Sequence, residues 1–278
     1  MKRKTAIVTG TSSGFGMHCA VELARAGFDV VSTMRNLDRA EILLKLADGH
    51  HVADRIHLHP LDVTSAESVS TFTTYIKKFP SIDVLVNNAG FALGGFSEEL
   101  TIDEYRLQFE TNVFGVIAVT QAVLPIMRKN RRGRIINMSS ISGKFGFPGL
   151  SSYTASKHAL EGYSESLRLE LKPFGIDVVL VEPGSYQTNI WSSIDKLTID
   201  SESPYHFYMK ALLRDIESGK GSHGDPLDVA KLVTRIATST KTPKLRYPIG
   251  RGVKLSLFLK MILPWKWLEN VVIKKLLK

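Results

Sequence analysis

The sequence predicts an α/β protein: a doubly wound parallel sheet with helices on both faces, in one domain that carries a basic C-terminal tail. Three observations predict it. Six short apolar runs, at residues 5–9, 28–33, 56–61, 83–87, 134–139 and 177–182, are separated by stretches with helical spacing. Runs without polar alternation suit strands buried on both faces. Strands alternating with helices form parallel sheets, because parallel neighbours need a crossover. Finally, 278 residues at 44% hydrophobic and 23% charged can fill a sizeable core.

Taken in order, the chain opens with strand 5–9, the turn Gly10 to Gly16 (GTSSGFG), and a helix over 18–26 stopped by Gly27. Strand 28–33 follows, then a helix over 41–47, strand 56–61, and a helix near 66–79 with Ser65 as its N-cap. After strand 83–87 a long helical region spans 102–127, with Pro125 near its end. Strand 134–139 leads to a helix over 152–172, which Gly175 stops before strand 177–182. Residues 185–224 are the least regular part, with a helix expected over 205–217. Pro226 takes the N1 position of a helix over 225–239, and 246–248 suits a last short strand. No repeat or linker divides the chain, so residues 1–250 read as one domain and 251–278 as an extension.

Composition narrows the function. A single cysteine, Cys19, excludes an internal disulfide and a cysteine-based metal site, and suits a reducing compartment. The N-terminus lacks a signal-peptide pattern, and no run of 18 residues is apolar without a charge, so a cytoplasmic location is expected. The formal charge is +9, but residues 251–278 hold seven basic side chains against the single acid Glu269. That segment therefore carries +6 and the rest only +3, which argues against a nucleic-acid face on the main body.

Four pieces fall at strand ends, where such sheets bind ligands. Gly10, Ser12, Ser13, Gly14, Phe15 and Gly16 lie between the first strand and first helix. Glycines there admit a pyrophosphate to a helix N-terminus, although a plain tight turn would look the same. Arg35 follows the second strand where NAD sites usually carry an acid; it could pair with a 2′-phosphate or be an exposed loop arginine. Asp62 and Val63 follow the third strand, the carboxylate either accepting from an adenine amine or capping the next helix. Asn87, Asn88, Ala89 and Gly90 end the fourth strand with short residues that let a ligand approach.

The stretch from Ser140 to Lys157 adds the chemistry. Tyr153 and Lys157 are four apart, one turn along one helix face, where an ammonium can favour a phenolate. With 8 Tyr and 21 Lys in the chain, one such pair is within chance, and a surface helix face is the plain alternative.

Together, in this order, these pieces resemble the short-chain dehydrogenase/reductases, in particular the compact branch with a TGxxxGxG loop. The matching residues are Thr9-Gly10…Gly14-Phe15-Gly16, Asp62, Asn87-Asn88-Ala89-Gly90, Asn112, Ser140, Tyr153-x-x-x-Lys157 and Pro183-Gly184-x-x-x-Thr188. The resemblance covers roughly residues 5–250 and implies a Rossmann-type fold. It also implies hydride transfer between a nicotinamide and a carbonyl or carbinol carbon, with NADP(H) favoured over NAD(H) on the strength of Arg35. Tyr153 would give or take the proton. Ser140 would hold the substrate oxygen; Ser139 is its rival, and the family's 13-residue spacing to the tyrosine selects Ser140. Lys157 would lower the Tyr153 pKa and hold the ribose, Asn112 would sustain a water relay, and Thr188 would orient the carboxamide. Tyr186 stands where the family usually has a small aliphatic residue, so a contact with cofactor and substrate is expected there. A homodimer or homotetramer is implied. A non-catalytic nucleotide sensor of the same fold is the rival reading, and it would be expected to lack one of Ser140, Tyr153 or Lys157.

Substrate and tail are less determined. Phe91, Leu93, Phe145, Phe147, Leu150, Tyr186, Trp191, Tyr205, Phe207 and Tyr208 flank the expected cleft. That lining suits a bulky apolar alcohol or ketone and is similar to hydroxysteroid and retinol dehydrogenases, or it packs a lid or subunit contact. Phe147 and Tyr186 are the expected substrate contacts beside the catalytic pair. On a helix from Trp265, the residues Leu268, Val271, Val272 and Leu276 share a face while Lys266, Asn270, Lys274 and Lys278 avoid it. Such an element could touch a membrane surface peripherally, or dock on the protein's own body or a partner subunit.

Overall fold

In a computed structural model of the chain, the described residues are 3–188, 201–219 and 223–276. Seven strands, β1 Thr5–Thr9, β2 Asp29–Met34, β3 Ile56–Pro60, β4 Val84–Asn87, β5 Gly133–Met138, β6 Ile176–Pro183 and β7 Arg246–Ile249, form one parallel sheet. Its order is β3-β2-β1-β4-β5-β6-β7. The expected strands are all present, and the short run at 246 becomes the edge strand beside β6. The order reverses between β1 and β4, which opens the crevice at their carboxyl ends.

Ten α-helices lie among the described residues: α1 Gly14–Arg25, α2 Glu41–Gly49, α3 Ala66–Ile76, α4 Ile102–Phe109, α5 Gly115–Lys129, α6 Ser151–Leu171, α7 His206–Gly219, α8 Pro226–Thr238, α9 Val253–Ile262 and α10 Trp265–Leu276. Two apolar cores lie on opposite faces of the sheet. One joins α1, α2 and α8 through Leu23, Leu43 and Val233; the other joins α3, α5 and α6 through Phe72, Val123 and Leu167. The β1 strand contributes to both, Ala6 and Val8 to the first and Ile7 to the second, because successive side chains alternate between faces.

Three local differences from expectation have clear causes. Helix α1 starts at Gly14, not 18, because the glycine turn itself winds into the first helical turn. The 102–127 region is interrupted by a π-turn at Glu110–Phe114, a widening that often marks functional sites. By length and composition the 102–129 segment could cross a membrane, yet Gln108, Asn112, Val119, Val123 and Met127 are buried in the fold, so it is a core helix. The tail holds two helices rather than one, divided at Pro264, which follows the end of α9.

Candidate active site

The site begins at the glycine turn. Gly10 and Gly14 have φ of +70° and +56°, a region that disfavours side chains. A Cβ on Gly10 would come within 2.8 Å of the Ala89 Cα, and one on Gly16 would strike the Gly10 carbonyl and the Asn88 amide. Asn88 holds this packing in place: its Nδ2 donates to the Thr9 and Gly10 carbonyls at 2.9 and 3.1 Å. The Thr9 Oγ1 accepts from the Asn88 and Ala89 amides, both at 2.9 Å. Ser13 precedes α1 in extended conformation and makes no side-chain cap, so the first helical N–H groups lack a side-chain partner from it. An uncapped N-terminus behind a turn whose Gly10 and Gly16 leave no room for a Cβ fits a pyrophosphate.

The other cofactor candidates surround this turn in part. Thr188 lies against Gly14, its Cβ 3.6 Å from where a Gly14 Cβ would stand. Gly184 is closed from behind by Val253, which leaves no room for a side chain there. Arg35 is exposed after β2 and acts on the Asp62 carboxyl. Burial pushes that carboxyl up, but two hydrogen bonds from Thr64 and the guanidinium outweigh it and hold the group below its ordinary value. Asp62 thus closes the turn before α3 through Thr64, while Ser65 is the actual N-cap. Val63 packs on Gly115 at the start of α5, and Gly90 faces the Asn112 side chain.

Tyr186 has a buried ring that packs with Phe15, in an edge contact at 5.5 Å, and beside Gly224. A ring of this size finds its burial on the α1/α8 side of the sheet, where it also borders a cavity with Asp228 and Arg251. Trp191 lies outside the described residues.

The reacting groups sit between β5 and α6. Ser140 is buried; it begins the turn after β5 and accepts from the Ser142 amide at 3.1 Å. Helix α6 brings Tyr153 and Lys157 to the same place, 3% and 6% exposed, because its buried stripe continues through Leu160, Ser164, Leu167 and Leu171 at helical spacing. The Ser140 and Tyr153 side chains are hydrogen-bonded. The Lys157 Nζ donates to the Met138 carbonyl at 2.8 Å and lies 5.6 Å from the centre of the Tyr153 ring. Ser139, the rival serine, donates instead to Glu161 Oε1 at 2.6 Å, so the two serines have different partners.

The electrostatics depart from expectation. Burial pushes Tyr153 up to about 12, against the lowering effect of the Ser140 bond. Burial also pulls Lys157 down to about 8, opposed by the Glu161 carboxylate. Desolvation thus outweighs the expected lowering of the phenol by the ammonium. Tyr153 is therefore a neutral phenol near neutral pH, with its proton held more tightly than in a free tyrosine.

Asn112 lies in the π-turn. It accepts from the Phe91 amide at 3.1 Å and donates to the Phe91 carbonyl and Ser156 Oγ at 3.0 and 3.1 Å. Gln108, fully buried, repeats the arrangement one turn earlier: it accepts from the Leu93 amide and donates to the Phe91 carbonyl, both at 2.8 Å. The sequence pointed to Asn112 but not to Gln108; no local pattern distinguishes a buried glutamine from a surface one. A second missed group lies behind Lys157. Glu161, one turn further along α6, pairs with Lys144 at 2.7 Å and Arg246 at 2.9 Å. Glu182 on β6, also buried, faces Arg246 at 3.2 Å without hydrogen-bond alignment. Burial and the nearby Glu161 push its carboxyl up to about 7.

The chain as a whole is similar to known proteins. A family profile described as short chain dehydrogenase matches residues 4–197. The chain belongs to the short-chain dehydrogenase family. This short-chain dehydrogenase is 50% identical over 279 residues to an uncharacterized oxidoreductase, YusZ, of Bacillus subtilis, with 99% of each chain covered. It is 38% identical to a 3-ketodihydrosphingosine reductase of Bacteroides thetaiotaomicron, covering 92% of this chain and 91% of that one. Human retinol dehydrogenase 8 is 35% identical, over 87% of this chain and 80% of its own. Among solved structures, a short-chain dehydrogenase from Streptomyces avermitilis superposes with a TM-score of 0.80 at 35% identity, covering 94% of this chain and 93% of the other. A structure of ElxO with NADP bound superposes at 0.75 with 28% identity, covering 91% of this chain and 100% of the other. The short-chain dehydrogenase is accordingly an oxidoreductase of small-molecule substrates.

Proposed function

We propose that this oxidoreductase reduces the carbonyl of a bulky apolar substrate with NADPH. The observation that carries the reading is the buried contact of Ser140, neutral Tyr153 and Lys157, in a fold whose first turn leaves no room for a Cβ at Gly10 and Gly16. Bound NADPH supplies a hydride to the carbonyl carbon. Ser140 hydrogen-bonds the carbonyl oxygen and polarises it. Tyr153 donates its phenolic proton to that oxygen as negative charge grows there, which leaves an alcohol and a phenolate. Lys157 stabilises the phenolate until a proton from solvent restores it. Asn112, held against Ser156 next to Lys157, supports that proton path in this reading. Lys157 and Thr188 would hold the nicotinamide end, and Arg35 the 2′-phosphate. Pro183 and Gly184 keep the backbone beside it free of bulky side chains.

The substrate class rests on the wall between Ser140 and Tyr153, where Phe145 and Phe147 stand 6.3 Å apart. The Gly95 amide donates to the Gly149 carbonyl and ties the loop after β4 to this wall. Next to Gly95, Phe96 stacks on Tyr205 at 4.5 Å. The relatives named as a 3-ketodihydrosphingosine reductase and a retinol dehydrogenase are in keeping with such a lining. Self-association as a homodimer or homotetramer is proposed through Leu107 of α4, Phe114 of the π-turn and Leu169 towards the end of α6, all exposed, and analytical ultracentrifugation measures it.

The test is NADPH oxidation against ketones graded by size and apolarity, with the Tyr153→Phe variant alongside. Rates should rise with apolar bulk, and the variant should lose turnover while still binding NADPH. Retained turnover in that variant would refute the mechanism. Arg35→Asp should shift preference towards NADH, and an unchanged cofactor ratio would remove the role given to Arg35.

A further inference from the structure

We infer that the C-terminal helices form a docking face for an anionic lipid surface, placed beside the wall of the substrate cleft. On α9 the side chains of Leu255, Phe258, Met261 and Ile262 fall on one helix face by spacing, and each is more than half exposed. Trp265, Trp267 and Val271 extend the exposed apolar surface along α10, each more than 60% exposed. Leu268 and Val272, one turn apart, are half-buried instead, so α10 docks on the body through them and turns its tryptophans outward. A folded chain rarely presents so many large apolar groups together unless another phase or molecule covers them.

The charge around this face selects the occupant. Lys254, Lys266 and Lys274 are exposed along it, and residues 251–278 carry seven basic side chains against one acid. At the foot of α9 a cavity of about 640 Å³ is lined by Lys231, Arg235 and Arg251, with Asp228 the single acid. A second copy of this chain, related by a two-fold axis, would bring one +6 segment against another. An anionic bilayer offers the complement to both features: acyl chains for the apolar side chains and phosphates for the lysines, with tryptophans at the level between.

The location ties this face to the site. The inner side of α9 carries Lys260, whose Nζ donates to the Lys144 carbonyl and lies 5.0 Å over the Phe145 ring. The docking helices therefore lean on the wall segment between Ser140 and Tyr153, and α10 touches α7, which exposes Phe207. An apolar substrate could pass from bilayer to cleft along this side; that route rests on the proposed substrate class, whereas the docking face does not.

Sedimentation of the full-length protein with phosphatidylglycerol/phosphatidylcholine vesicles, against phosphatidylcholine alone, tests the inference without any turnover assay. Binding should require the anionic lipid, weaken at roughly 0.5 M salt, and shift the tryptophan fluorescence to the blue. Met261→Asp/Ile262→Asp and, separately, Lys254→Glu/Lys266→Glu should each weaken it by about tenfold or more while the melting temperature is unchanged. Absence of binding to anionic vesicles, or equal binding by the Met261→Asp/Ile262→Asp variant, overturns the inference. So does a dimer that this variant dissociates in the absence of lipid, which would assign the face to a second copy.

Discussion

The stretch from Ser140 to Lys157 and the tail from Val253 to Leu276 invert the usual distribution of side chains in opposite ways. In the first, a tyrosine and a lysine are buried with the Glu161 carboxylate behind them; in the second, leucine, methionine and tryptophan side chains stand in solvent. The two regions even touch, through Lys260 and Lys144. Buried polar groups are costly unless partnered, and here Ser139, Glu161, Arg246 and the Met138 carbonyl supply the partners. Exposed apolar groups cost little in the folded protein itself, and so need a reason outside it. Burial tunes chemistry at one place, and exposure prepares contact at the other.

The sharpest break of this contrast is Lys157→Met. It removes the charge that burial tunes, so turnover should fall by about a hundredfold or more. Thermal stability should hold or rise, because burial already disfavours the Lys157 ammonium. A variant that loses activity only in proportion to lost folding would show that the lysine is structural.

Next, Glu161→Gln tests the group behind the site. The Glu161 charge raises the Lys157 pKa against burial, which leaves it near 8. Removal should lower that value further, so the alkaline fall in reduction rate should move to lower pH. An alkaline limb at the wild-type position would exclude Glu161 from tuning the site.

A smaller effect is expected from Glu182→Gln. The folded-state value of about 7 lies above the ordinary 4.5, so protonation favours the fold. That contribution is complete below about 4.5 and is lost as pH rises through 7. The variant keeps a neutral group, so its melting temperature relative to wild type should increase between roughly pH 5 and pH 8. A difference that is constant with pH would mean Glu182 does not titrate in this window.

The smallest contrast lies within the tail. Val253, buried against Gly184, should cost about 1 kcal/mol when changed to Ala. Leu255→Ser, at an exposed position of the same helix, should stay within about 0.5 kcal/mol by denaturant melts. Equal losses would mean that Leu255 is covered in solution.

The strand runs, the glycine turn and the Tyr153–Lys157 spacing were legible along the chain because each depends on neighbours a few residues apart. Strand pattern and helix period are local properties, and they placed every strand and most helices to within a few residues. Only the family resemblance, through its spacing to the tyrosine, favoured Ser140 over Ser139, and in the fold the two serines bond different partners. What tertiary structure alone decided was the environment. Tyr186 turned into the core beside Phe15, Gln108 joined Asn112 in pinning the loop after β4, and Glu161, Glu182, Lys144 and Arg246 met from four separate elements. Sequence by itself determined which groups are present and how they repeat. Only the fold decided what solvent they lost, because desolvation depends on every element packed around a group. That is why the Tyr153 proton, expected to be loosened by its lysine, is instead held more tightly by its burial.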